Sequence, residues 1–235
     1  MVAVGPNVPA PSEDVVVLTG GDPVDPAHTP PLPAGARVVA ADSGLAAAEV
    51  LGLTVDVVVG DMDSVVPARL AAAEAAGARI ERHPTAKDAT DLALAMDVAL
   101  GFGARRVTVV GGDGGRLDHL LANALLLAAD DYAAVTVVAH LGPATITVVR
   151  DEASLFGRRG ELVSLLAVHG PAHGITTAGL RYPLRDELLT PGSSRGVSNE
   201  LDRPTARVRL RSGVLLAVQP EALAAPLDDT GRNHP

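Results

Sequence analysis

From Asp14 to His140 the chain alternates two kinds of segment, and that alternation restricts the fold more than any other feature. Short Val-rich runs (VVVLT, RVVAA, VDVVV, ARIER, RRVTVV, AVTVVAH) are separated by Ala/Leu-rich stretches of helical period (LAAAEVL, PARLAAAEA, DLALAMDVAL, LDHLLANALLLA). Strands alternating with helices predict crossover units and a mostly parallel sheet. In open sheets of that kind, ligands bind beyond the carboxyl ends of the strands. After about Leu141 the pattern changes to ATITVV, SLFG, ELVSLLAV, GITTAGL, ARVRL and VLLAV, broken by turns rich in Gly, Pro, Asp and Ser. This predicts a smaller all-β sandwich. The expected organisation is an α/β domain over residues 14–141 and a β-sandwich domain over 142–220. The N-terminal dozen residues and the tail LDDTGRNHP are expected to be disordered ends.

Composition narrows the function. An apolar content of 47% in 235 residues is enough for sizeable cores. The net charge of -9 argues against nucleic acid or an anionic membrane surface as a partner, since either needs a basic face. No stretch approaches the roughly 20 apolar residues of a membrane span, and the first residues do not resemble a secretory signal. With no cysteine in the chain, thiolate chemistry and disulfides are excluded, which fits a cytoplasmic protein. Small ligands and cations remain as partners.

Three segments carry the chemistry in the first domain. In VDVVVGDMDS, residues 55–64, an apolar strand ends in Gly60 and then presents Asp61, Asp63 and Ser64. One of the polar residues could cap the helix after Pro67, but paired carboxylates also suit Mg²⁺, which takes oxygen ligands together with substrate phosphates. In TAKDATD, residues 85–91, Thr85 and Asp88 have the spacing of a capping box. Yet Leu92, Ala95, Met96 and Ala99 define the inward stripe of the helix, with Asp88 on it and Asp91 at its border. Asp61, Asp63, Asp88 and Asp91 would then converge on one or two divalent cations with ATP, and Lys87 could reach phosphate. In VTVVGGDGGRLDHLLAN, residues 107–123, a strand runs through Gly111, Gly112, Gly114 and Gly115 into a helix. Glycines let the backbone approach closely, and helix-start N–H groups attract anions. Leu117 rules out the dinucleotide fingerprint, and the absence of Gly-Lys-Ser/Thr rules out a P-loop. Arg116, His119 and Asn123 share one helix face, as a ligand wall would.

The second domain offers GITTAGLRYPL and SSRGVSNE. The only aromatic residues of the chain are Phe102, Tyr132, Phe156 and Tyr182, so Tyr182 in its Gly/Thr/Pro-rich loop is a candidate platform for a flat heterocycle. Ser198 and Asn199 form either a plain turn or a hydrogen-bonding pair for a polar ring.

Taken together, Gly-Asp-Met-Asp-Ser, Lys-Asp-x-Thr-Asp, Gly-Gly-x-Gly-Gly-Arg-x-Asp-His, Thr-Thr-x-Gly-Leu and Ser-Asn, in order over about residues 36–218, resemble the thiamine pyrophosphokinase family. The resemblance implies a catalytic α/β domain, a thiamine-binding β-sandwich, and a homodimer with sites formed between subunits. It also implies transfer of the diphosphoryl group of ATP to the thiamine hydroxyl, with Mg²⁺ as cofactor and AMP released. By position, Asp61, Asp63, Asp88 and Asp91 match the metal- and ATP-binding acids. Gly111, Gly112, Gly114, Gly115 and Arg116 match the nucleotide loop, and Asp118 its following Asp. Asp42 stands where relatives often have Asp-Gly-Gly, with Ser43 departing from that pattern. Tyr182 stands where some relatives have Trp, and Ser198 and Asn199 match the thiamine-domain motif. The alternatives are a 6-hydroxymethylpterin diphosphokinase and a sensor that binds thiamine or a nucleotide without turnover.

Overall fold

The structure, a computed structural model, describes residues 13–84 and 89–222. Lys87, Asp88 and both expected disordered ends lie outside the described residues. The N-terminal part runs β1 (Asp14–Leu18), β2 (Arg37–Ala41), α1 (Leu45–Leu51), β3 (Val57–Gly60), α2 (Pro67–Ala75), β4 (Arg79–Arg82), α3 (Asp91–Gly101), β5 (Arg106–Val110), α4 (Leu117–Leu126) and β6 (Thr136–Leu141). Every expected strand and helix of this part is present.

Its strands lie in the order β4-β3-β2-β1-β5-β6, and each neighbouring pair is parallel. The chain moves outward from β1 to β4 and then returns to the other side of β1, so the strand order reverses between β1 and β5. Such a reversal opens a crevice at the carboxyl ends of the two strands. Alternation within each strand feeds two cores. Val15, Val17, Val39, Val57 and Val59 pack against Leu92, Ala95, Met96 and Ala99 of α3, the stripe expected from the helical period. Val16, Leu18, Val38, Ala40 and Val58 pack on the opposite face with Leu45, Ala47, Ala48 and Leu70 of α1 and α2. Helices on both faces explain why these strands read as unbroken Val runs.

Beyond Gly142 and Pro143 the pairing becomes antiparallel. The strands are β7 (Ala144–Val149), β8 (Glu152–Phe156), β9 (Leu162–Ala178), β10 (Glu187–Leu189), β11 (Asn199–Glu200), β12 (Thr205–Arg209) and β13 (Ser212–Gln219). β7 pairs with β6 and continues the sheet through β13, β9, β12 and β8. The mixed sheet is therefore continuous across both parts. ELVSLLAV and GITTAGL, expected as two strands, form one 17-residue strand, β9. Its His169, Gly170 and Gly174 take positive φ values and bend the strand without ending it. The first half of β9 pairs with β13 and its end with β12. A third core, with Leu155, Leu165, Ile175, Leu189, Leu201 and Leu215, fills this part.

His140, on β6 where the parallel and antiparallel strands meet, shares a 3.1 Å hydrogen bond with the Thr145 hydroxyl, and its carbonyl accepts from the Gly111 N–H at 3.0 Å. Burial lowers its pKa from 6.5, because the charged imidazolium loses solvation. A histidine with a depressed folded pKa contributes stability that is complete above pH 6.5 and is lost as pH falls through the folded value. His140→Gln is therefore expected to flatten the decline in unfolding free energy below pH 6.5, measured by urea denaturation across that range against the parent. Parallel pH profiles for the two proteins would contradict this account.

Candidate active site

Asp61 and Asp63 follow β3 at its carboxyl end, and the residue between them explains how both are held. Met62 takes a positive φ of 65° and buries its side chain in the core beneath α1 and α2, so its two neighbours turn outward together. The Asp63 N–H donates to Asp61 Oδ1 at 3.1 Å. Asp42 follows the adjacent β2. Its backbone is left-handed, with φ 46°, and the residue is only 7% exposed. Its Oδ2 accepts a hydrogen bond from the Ser64 hydroxyl, while its Oδ1 is buried without a hydrogen-bond partner. Leaving a carboxylate oxygen so placed is costly unless something polar or cationic meets it. Asp42, Asp61 and Asp63 each bring one oxygen within 4.8 Å of the others, a grouping able to hold a metal ion.

Asp91 joins them from α3. The helix is capped by Thr90, whose Oγ1 accepts from the Ala93 N–H at 3.2 Å, while the expected Thr85–Asp88 box lies outside the described residues. Gly60 is the point of closest approach. A Cβ built there would stand 3.0 Å from the Asp42 Cβ and 3.2 Å from Asp91 Oδ1, at a φ of 146° that side chains rarely adopt. The crowding is visible in the electrostatics: the Asp63 carboxyl is pushed above the ordinary Asp range, first by the charge and hydrogen bond of Asp61 and then by desolvation, Asp42 and Asp91. Ser64 and Asp63 do not cap α2, which starts at Pro67 after an uncapped Val66.

These acids form one wall of a cleft of about 750 Å³. The other wall comes from the β5–α4 turn, with Gly112, Gly114, Gly115, Arg116, His119 and Asn123. The shared helix face of Arg116, His119 and Asn123 thus faces the cleft, and Asn123 Oδ1 is sheltered without a hydrogen-bond partner. Arg116 is exposed and forms a two-point pair with Asp118, Nε to Oδ1 at 3.1 Å and Nη2 to Oδ2 at 2.6 Å. That pairing holds the Asp118 carboxyl below its usual range. Asp118 itself does not line the cleft, nor does Gly111, which lies deeper, against the Thr19 carbonyl.

Thr19, Gly20 and Gly21, unremarked in the sequence, complete the cleft from the end of β1. Gly21 packs so closely that a Cβ there would meet the Asp113 carbonyl at 2.4 Å, and the neighbouring Asp22 N–H donates to that carbonyl at 2.8 Å. A Gly-Gly pair directly after the first strand was the available signal. Ser43 and Thr90 also line the cleft.

Tyr182, Ser198 and Asn199 are gathered elsewhere, in the antiparallel part, and none of them lines this cleft. The Tyr182 ring is 56% exposed, with the Arg181 guanidinium 5.5 Å from its centroid. Asn199 is buried, and its amide is used by the protein: Oδ1 accepts from the Tyr182 and Glu200 N–H groups at 3.0 and 2.9 Å, and Nδ2 donates to the Tyr182 carbonyl at 2.7 Å. Ser198 has a positive φ, and its N–H donates to the Ser164 hydroxyl at 3.1 Å.

Residues 34–138 match the family model described as thiamin pyrophosphokinase, catalytic domain, and residues 144–215 match thiamin pyrophosphokinase, vitamin B1 binding domain. A thiamine pyrophosphokinase of Bacillus subtilis is 27% identical over 168 residues, covering 68% of this chain and 76% of the relative. Among solved structures, thiamine pyrophosphokinase from Bacillus subtilis superposes with a TM-score of 0.74 at 24% identity, covering 88% of this chain and 98% of that one. The enzyme from Geobacillus thermodenitrificans gives 0.71 at 25% identity, covering 88% and 96%. With both halves matched in order and the same fold in these relatives, the chain belongs to the thiamin pyrophosphokinase family.

Proposed function

We propose that this ATP-dependent transferase of the thiamin pyrophosphokinase family binds Mg²⁺ and ATP in the cleft between the acids and the glycine turn, and transfers the diphosphoryl group to the thiamine hydroxyl. The observation that carries the reading is the convergence of Asp42, Asp61, Asp63 and Asp91 opposite a glycine-rich helix start, at the strand ends where the sheet order reverses. Every donor in the acidic group is a carboxylate oxygen, one of them buried and unpartnered, and this is the donor type Mg²⁺ takes. Asp61, Asp63, Asp88 and Asp91, joined by Asp42, would hold the ion, and Lys87 would reach phosphate. When bound, it would neutralise phosphate charge in the cleft.

The chain's own groups then act by positioning and electrostatics. Backbone N–H groups from Gly112 to Gly115 and the Arg116 guanidinium meet phosphate oxygens, and His119 and Asn123 line the nucleotide's flank. In the reaction a bond forms between the thiamine oxygen and the β-phosphorus of ATP, and the bond from that phosphorus to the oxygen bridging to the α-phosphate breaks. AMP leaves with the bridging oxygen, and the hydroxyl proton passes to a carboxylate of the acidic group.

Thiamine binding falls to the antiparallel strands, read as a β-sandwich domain over residues 142–220, with residues 14–141 as the catalytic domain. The match of residues 144–215 to the vitamin B1 binding model favours thiamine over a hydroxymethylpterin. Tyr182 offers its ring to the cationic heterocycle, and Ser198 and Asn199 shape the loop around it. Because these residues stand apart from the cleft within one chain, a homodimer in which each cleft faces the partner's Tyr182 loop accounts for both halves of the site. A cytoplasmic location fits a cysteine-free chain that uses ATP.

Incubation with Mg²⁺, ATP and thiamine should release AMP, and hydroxymethylpterin should not replace thiamine. Asp61→Asn should lower turnover by more than about a hundredfold. It should leave the metal-free fold as stable as the parent or more so, because the charge that most perturbs Asp63 is removed. Near-normal turnover in the folded variant would remove the metal reading.

Gly60→Ala tests the packing beneath the acids. The added methyl should cost about 1–3 kcal/mol in chemical denaturation. It should also depress turnover by displacing Asp42 or Asp91, and a variant with parental stability and rate would contradict the close approach. For Tyr182→Ala we expect the thiamine KM to rise by about two- to thirtyfold with much less effect on kcat, and Tyr182→Trp to keep or improve affinity. Unchanged KM in a folded Ala variant would assign Tyr182 a structural role only.

A further inference from the structure

Asp42 has two oxygens in different circumstances, and the difference is made by the Ser that ends the Gly-Asp-Met-Asp-Ser motif, a residue given no role of its own above. Ser64, four residues after Gly60, donates its hydroxyl proton to Asp42 Oδ2. Oδ1 remains, buried and without a hydrogen-bond partner, in a side chain that places an oxygen within 4.8 Å of oxygens from Asp61 and Asp63.

We infer that Ser64 is a positioning residue that makes Asp42 a one-oxygen ligand and thereby sets the site's preference for Mg²⁺ over Ca²⁺. The inference rests on the metal reading above and deepens it. Mg²⁺ is small and takes six oxygens at about 2.0–2.1 Å in near-octahedral geometry, usually one from each carboxylate and several from water and phosphate. Ca²⁺ takes six to eight ligands at longer distances and readily uses both oxygens of a carboxylate. A hydroxyl bonded to one carboxylate oxygen takes up one of its lone pairs and favours coordination through the other oxygen alone. Ser64 therefore weakens for Ca²⁺ a ligand atom that Mg²⁺ does not need. Ser64 is itself on the surface, so its replacement leaves the two cores beside β3 intact.

The test uses Mn²⁺ as the probe. Its binding to the full chain is followed by electron paramagnetic resonance in the absence of nucleotide, and it is displaced by Mg²⁺ or by Ca²⁺. The parent should release Mn²⁺ to Mg²⁺ more readily than to Ca²⁺. Ser64→Ala should shrink that preference by about fivefold to tenfold, the loss expected for one hydrogen bond to a charged group at a partly exposed position. Ser64→Thr, which keeps the hydroxyl, should retain it. Circular dichroism melting establishes that each variant is folded. An unchanged Mg²⁺/Ca²⁺ ratio in Ser64→Ala, or an equal fall in Ser64→Thr, overturns the role of the hydroxyl while leaving the metal reading in place. Failure of the parent to bind Mn²⁺ overturns the metal reading itself, and the inference with it.

Discussion

Mutual repulsion among carboxylates at the ends of β2, β3 and α3 is the constraint around which the N-terminal half is organised. Left to themselves, Asp42, Asp61, Asp63 and Asp91 would move apart into solvent, and the raised pKa of Asp63 records the cost of preventing it. Apolar packing prevents it. Met62 is anchored in one core and Leu92 with Met96 in the other, so the acids on either side of these anchors follow the sheet and the helix rather than their own electrostatics. Gly60 removes the one side chain that would separate Asp42 from Asp91. Burial of aliphatic surface on both faces of a parallel sheet supplies the driving force, since each fully buried Val or Leu contributes roughly 1.5–3 kcal/mol. The site is thus held together by residues that take no part in its chemistry.

The reversal of strand order between β1 and β5 gives the repulsion a counterpart. On one side of the crevice stand carboxylates, which need a cation. On the other stand backbone N–H groups and a guanidinium, which attract anions. A metal–phosphate complex matches both walls at once, whereas a bare cation or a bare anion matches only one. The Arg116–Asp118 pair fits this division of labour. Both partners are exposed, so the pair adds little to stability, but it ties the guanidinium to the first turn of α4 beside the cleft that Arg116 lines.

Much of this was legible in the sequence, because the signals were local and periodic. The Val runs, the helical stripe of Leu92, Ala95, Met96 and Ala99, the shared face of Arg116, His119 and Asn123, and the carboxylates after β3 all depend on residues within one or two turns of one another. What was hidden depends on distance in the chain. Nothing around Asp42 reveals that Ser64 will bond one of its oxygens and leave the other bare, because β2 and β3 meet only in the folded sheet. The contribution of Thr19, Gly20 and Gly21 required knowing that β1 and β5 are neighbours. His169, Gly170 and Gly174 look like the boundary of two strands, and only the pairing partners on either side show that they bend one. Asn199 reads as a hydrogen-bonding group for a ligand, and in the fold its amide instead turns inward to the backbone of Tyr182, 17 residues away.

That inward turn changes how the antiparallel half can recognise anything. Three hydrogen bonds from one buried amide fix the backbone of Tyr182 and Glu200, while the Tyr182 ring stays exposed and carries the Arg181 guanidinium on one face. Arg181 is in turn held by Glu200, Nη1 to Oε2 at 2.7 Å. The arrangement presents one open ring face on a rigid loop, a contact that costs little conformational entropy when a flat ligand arrives. Within one chain this loop and the acidic cleft are separate surfaces, since Tyr182, Ser198 and Asn199 do not line the cleft. Across α4, Leu117, Leu121 and Leu125 stand exposed one turn apart, on the helix whose start and inner face line the cleft. The apolar stripe and the cleft-lining Arg116, His119 and Asn123 therefore belong to one helix and its N-cap.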